Sequence, residues 1–207
     1  MTLTSWRTTK IPEYYFHQIE RTISQSTRYV SVSEFIRQAI EEKLFVTKRS
    51  QEFLLIKDLV FTESRIKHIH EIMSSQFEVD SKELLKENIQ MIIDKSLDME
   101  LTSFLSKFLY NFAVYHPFKD GNKRTALIAV DTFLRLNNQK LKLKAKKDAE
   151  TDDELFFWQN STQQKTVEQI KKFMEKHIEE YSSSNDVEKE IDKSIKENTV
   201  MLEKLSR

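Results

Sequence analysis

His116-Pro117-Phe118-Lys119-Asp120-Gly121-Asn122-Lys123-Arg124 is the stretch from which the rest of the chain is read, because it holds the only glycine and one of the two prolines among 207 residues. Turns and strand corners usually draw on both residue types, so a chain this poor in them is mainly α. The one place that uses both needs a backbone geometry that other residues resist.

The residue types in the stretch define a chemistry. Gly121 and its neighbouring amides, leading into a helix that starts near Thr125, form a concave set of N–H groups at a helix N-terminus, which binds anions and phosphate above all. Lys123 and Arg124 add a point charge and a planar fork suited to phosphate oxygens. Asp120 offers the hard oxygen that Mg²⁺ accepts beside nucleotide phosphates. His116 is placed to act as general base toward an incoming hydroxyl. Taken singly, each residue has a plainer reading: a structural histidine, a helix-capping aspartate, a solvated Lys-Arg pair. Together, within nine residues, they point to a phosphate- and metal-handling loop.

The string HPFKDGNKRTA resembles the signature of the Fic/Doc (Fido) family: His, any, Phe, any, Asp/Glu, Gly/Ala, Asn, Gly or Lys, Arg. The resemblance extends to IKHIHEIM at 66–73, to LSKFLYNFAVYHPF leading into the motif and to ALIAVDTFLRLNNQKLKL after it, covering 54–181. It implies a helical Fido-fold domain that uses ATP and Mg²⁺ to modify a Ser, Thr or Tyr hydroxyl of a protein target. His116 would be the base, Phe118 an anchor in the core and Asp120 the metal ligand. Gly121, Asn122, Lys123 and Arg124 would bind phosphate. AMP-transferring members usually carry Gly at the place of Lys123 and a second Arg at the place of Leu127. Lys and no second Arg is the pattern of the Doc branch, whose toxins phosphorylate a translation elongation factor with an inverted nucleotide, so phosphotransfer is favoured over AMP transfer. The family's inhibitory pattern, Ser/Thr four residues before Glu-Gly/Asn, is not met: Glu83 precedes Glu87-Asn88 and Lys193 precedes Glu197-Asn198.

At the front, SWRTTKI at 5–11 reads as a short strand, Pro12 as its stop, and 13–26 as a helix. Ser31 with Glu34 forms a capping box that opens a second apolar helix through Leu44. TTKIPEYY and YVSVSEFIRQAIEEKL resemble a ribbon-helix-helix DNA-binding domain, which implies a homodimer over residues 1–47. Lys10, Thr8 and Trp6 would face DNA, or Arg7 and Thr9 after a one-residue slip, with Ser31 at a phosphate. Residues 1–50 carry 8 Lys/Arg against 5 Asp/Glu in a chain of zero net charge, a mild positive bias consistent with that reading. A toxin-antitoxin-like arrangement follows from the pairing of the two resemblances. The alternative is a DNA-binding transcriptional regulator whose Fido domain is catalytically silent.

The remaining signals are weaker. Thr47 to Gln51 lacks periodicity and is the candidate domain boundary, although a continuous helix across it is compatible with the sequence. Helical spacing recurs over 53–74, 82–97 and 101–115, with a break at Gln76 to Asp80, and then over 126–136 with Asn137-Asn138 as a left-handed cap. Lys140 to Lys144 alternates as a short strand, and helices follow over 148–162 and 165–181. Val187, Ile191, Ile195, Leu202 and Leu205 share a stripe that predicts one amphipathic helix over 186–207, either docked on its own domain or acting as an arm. His68 and His70 lie on different helix faces and read as structural. With no Cys, no long apolar run and no secretory h-region at the front, the chain reads as cytoplasmic.

Overall fold

The computed structural model describes residues 10–25, 30–77, 88–98 and 100–205, with the side chains of 45–52, 88, 158 and 161 left aside. It is mainly helical and divides into two compact units, Met1–Gln51 and Glu52–Arg207.

In the first unit α1 spans Glu13–Ser24 and opens on Pro12, whose fixed φ suits a helix start. α2 (Val32–Val60) begins with the expected cap: the Glu34 N–H donates to Ser31 Oγ at 3.2 Å, and Glu34 reaches back to the Val30 N–H at 3.0 Å. The helix runs uninterrupted through 47–51, where the sequence offered a boundary. The strand read over 5–11, and with it Trp6, Arg7, Thr8 and Thr9, lies almost wholly outside the described residues, whereas Lys10 and Ser31 are exposed.

The second unit is built around α6 (Asn122–Leu136), in which every residue except Lys123 is buried. Against it pack α3 (Glu63–Phe77), α5 (Leu101–Tyr115) and α9 (Val187–Glu197), while α4 (Asn88–Ser96), α7 (Asp152–Ser161) and α8 (Val167–His177) pack on α5. Phe53, Phe61, Phe104 and Phe133 meet edge to face at 4.8–5.8 Å in its interior. The helix read over 165–181 ends at His177. Ile178–Glu180 is instead strand β2, antiparallel to β1 (Gln139–Leu141), with Leu141 opposite Ile178. Lys142 and Lys140 reach Glu179 across that pair at 2.8 and 3.7 Å, so the lysine run meets acids of its own chain.

The tail is two helices, α9 and α10 (Thr199–Lys204), not one. Asn198 separates them because its amide donates both to Ser194 O at 2.9 Å and to Asp131 Oδ2 at 3.2 Å. Ile191, Ile195, Met201, Leu202 and Leu205 are all buried, so the stripe is part of the core and not a free arm. Asp131, fully buried on α6, gathers the pieces. Its Oδ2 also accepts from Arg135 Nε at 2.8 Å and Ser194 Oγ at 2.7 Å, and its Oδ1 accepts from the Leu141 N–H at 2.8 Å.

Candidate active site

The loop joins α5 to α6. His116 caps α5 in the left-handed region at φ 41°, a conformation uncommon outside glycine and therefore a strained one. Its backbone N–H still reaches Phe112 O at 3.2 Å, and its side chain is exposed at the mouth of the site. Phe118 turns inward and is 2 % exposed, the anchor expected from the sequence. Gly121 then takes φ 75°, where a Cβ would crowd the chain, and α6 starts at once.

The start of α6 differs from those of its neighbours. Glu100, Thr166 and Asp186 cap α5, α8 and α9 with their side chains, but no side chain caps α6. Gly121, at the cap position, has no side chain to offer the first turn, and the start of a helix is where its dipole and backbone N–H groups favour an anion. Asp120 accepts the Gly121 N–H on Oδ1 at 2.6 Å and is itself exposed, which leaves Oδ2 facing outward.

The residues expected to bind phosphate separate into different tasks. The side chain of Asn122 closes the loop on itself: Phe118 N–H donates to its Oδ1 at 3.1 Å and its Nδ2 donates to Phe118 O at 2.6 Å. Asn122 thus has only its backbone N–H to offer an anion. Arg124 is 2 % exposed, lies 5.0 Å from the ring of Phe77 and donates Nε to Leu202 O of α10 at 2.8 Å. Burial lowers its pKa from the usual arginine value, against the pull of Asp120. Leu127, at the place of a second arginine, is fully buried in the core.

Lys123 lines a small cleft of about 20 Å³ together with His116 and Asn160, between apolar walls of Leu109, Phe112, Ala126 and Phe157. Burial first, and the charge of Arg124 second, bring its ammonium down to about 8 despite Asp120. Anion affinity at this cleft is therefore expected to fall as pH rises through 8, where an ordinary lysine keeps its charge. Calorimetric titration with ATP at pH 7 and 9 checks this, with Lys123→Arg flattening the dependence. The sign for folding is opposite: a base with a depressed pKa makes the chain more stable as pH rises from 8 toward 10.5.

Sequence reasoning missed two polar groups. Asn160 of α7 is 6 % exposed; its Nδ2 donates to Leu109 O at 3.4 Å, and its buried Oδ1 has no partner among the described residues. No spacing rule links it to the loop. His70 was visible as a histidine on the apolar stripe of Ile66, Ile69 and Met73, and it packs beneath the loop, whereas His68 faces Glu188 at the surface.

A histidine at a strained helix end and a lysine thus line one cleft at the start of a buried helix, on a helical scaffold. Residues 60–134, which contain the whole loop, match the sequence model of the Fic/DOC family. That match supports a Fic-type transferase in general terms. No curated protein matches the chain. Among the described residues, no helix is long and apolar enough to cross a membrane.

Proposed function

We propose that the second unit is a Fic-type transferase that uses ATP and Mg²⁺ to modify a hydroxyl of a protein target, by phosphotransfer in preference to AMP transfer. The observation that carries this reading is the shared cleft: His116 and Lys123 line it at the start of α6. His116 takes the proton of the target Ser, Thr or Tyr hydroxyl, and the freed oxygen attacks phosphorus. Attack at the γ position releases ADP; attack at the α position releases pyrophosphate. The α6 amides and Lys123 hold the phosphate charge while that bond forms, with Arg124 supplying buried positive charge behind them.

Asp120 fits a divalent cation as a single exposed carboxylate with one oxygen engaged and the other outward, the sparse donor set that Mg²⁺ completes with phosphate oxygens and water. Bound there, the ion would neutralise phosphate charge. The preference for phosphotransfer rests on Lys123 and Leu127. Incubation with cell extract, Mg²⁺ and either γ- or α-labelled ATP separates the two reactions. Protein label from the γ position alone is expected; label from the α position instead assigns AMP transfer.

The first unit is proposed to dimerise the chain and to present a ribbon to DNA. In its support, α1 buries none of its residues, and Tyr14, Tyr15, Ile40 and Leu44 are all exposed, so a pair of helices without a core of its own calls for a second copy. Sedimentation is expected to show a dimer that Tyr15→Lys combined with Leu44→Lys converts to monomer. A gel shift on genomic fragments at moderate salt checks DNA binding, and a monomer that shifts no fragment would remove this part of the reading.

A further inference from the structure

A buried histidine outside the loop touches it on both sides of the glycine turn. The imidazole of His70 lies flat on Phe118, with ring centroids 3.6 Å apart and planes 7° from parallel. Its Nδ1 lies 3.0 Å from Thr125 Oγ1, on the first turn of α6. Phe118 precedes Gly121 by three residues and Thr125 follows it by four, so one side chain bridges the two arms of the turn. The position itself is a core position: His70 is 2 % exposed and continues the stripe of Ile66, Ile69 and Met73 on α3. An aliphatic side chain would fill that place at lower desolvation cost.

We infer that His70 is a positioning residue for the transfer reaction, holding the loop so that His116 and the start of α6 keep a fixed spacing. Phe118 is the point through which this acts. Its ring rests on His70, its backbone is gripped from the other side by both ends of the Asn122 amide, and it lies two residues from His116. The bond to Thr125 ties the same imidazole to the helix whose amides face the anion. Loss of the ring frees Phe118 and with it the direction of His116; loss of the bond lets α6 shift against the loop. A misplacement near 1 Å is worth about a hundredfold in rate, whereas no side chain assigned to the nucleotide is removed. The signature is therefore a fall in kcat with little change in nucleotide KM. The kinetic part rests on the reading of His116 as the base.

The test pairs kinetics with a readout that needs no activity. His70→Ala, His70→Phe and Thr125→Val are made in the full chain, and amide hydrogen exchange is followed by mass spectrometry. Exchange in 116–122 is expected to accelerate about tenfold or more in His70→Ala, with the amides of α5 and α9 unchanged. His70→Phe keeps a ring on Phe118 and loses the bond, so it should match Thr125→Val, and the double variant should be no worse than either. In the transfer assay His70→Ala should lose about tenfold to a hundredfold in kcat, with KM for ATP within about threefold of wild type. Unchanged exchange in 116–122, or acceleration spread evenly over the unit, would overturn the inference. So would additive effects in the double variant. If His70→Ala does not fold, the His70→Phe and Thr125→Val pair decides. A wild-type protein that transfers no label sinks the transferase reading, while the exchange data still decide whether His70 holds the loop.

Discussion

Asp131→Ala is expected to destabilise the second unit by about 3–5 kcal/mol, the usual cost of removing one member of a fully buried ion pair. Asp131 and Arg135 are both 0 % exposed, and Asp131 Oδ2 alone serves Arg135, Ser194 and Asn198. Its removal also strands the Leu141 N–H at the end of β1. The guanidinium then keeps Glu197, reached by Nη2 at 2.8 Å and Nη1 at 3.2 Å, and the Tyr181 ring 4.8 Å away. The melting midpoint should drop on the order of 10 °C. Glu197→Gln provides the contrast, because Glu197 is 44 % exposed and solvent screens its pairing, so a loss of about 1 kcal/mol or less is expected. Arg135, followed by Lys140, holds the Glu197 carboxyl down to about 2, so its contribution persists through the neutral range and is lost only as pH falls toward that value. Equal midpoints for the two variants would show that the polar cluster does not fasten α9 to α6.

His116→Ala should reduce label transfer by about 10²–10⁴-fold, the range that a positioned general base supplies. The fold should be indifferent to it. The side chain is exposed, and alanine removes no hydrogen bond that the described residues make through the imidazole. Alanine at φ 41° carries a small backbone penalty, so the melting midpoint is expected to move by only a few degrees. ATP affinity should stay within about threefold of wild type, because the proposed phosphate seat is α6 with Lys123 and Arg124 and does not include the imidazole. A variant that loses binding together with transfer would make His116 part of the nucleotide seat and leave the base unassigned.

The loop was legible in the sequence because its information is local. A single glycine, a proline and a helix start within nine residues need no distant partner to be read, and α5 and α6 flank it where helical spacing places them. The left-handed Asn138 at the end of α6 was legible for the same reason, since its φ of 57° is a property of the turn. What escaped depends on residues far apart in the chain. Ile178–Glu180 leaves the helical pattern of α8 only because β1 lies beside it with lysines opposite its acids. The break at Asn198 follows from Asp131, 67 positions away, which no periodicity reveals. Asn122 has a task that the motif does not announce: its side-chain amide bonds to the backbone of Phe118 through both ends.

The most direct measurement is a crystal structure of the chain with a non-hydrolysable ATP analogue and Mg²⁺. The account predicts phosphate oxygens on the amides at the start of α6 and on Lys123, and a metal ion on the Asp120 carboxylate. An analogue that binds elsewhere, or a first turn of α6 that holds no phosphate at saturating ligand, would contradict it.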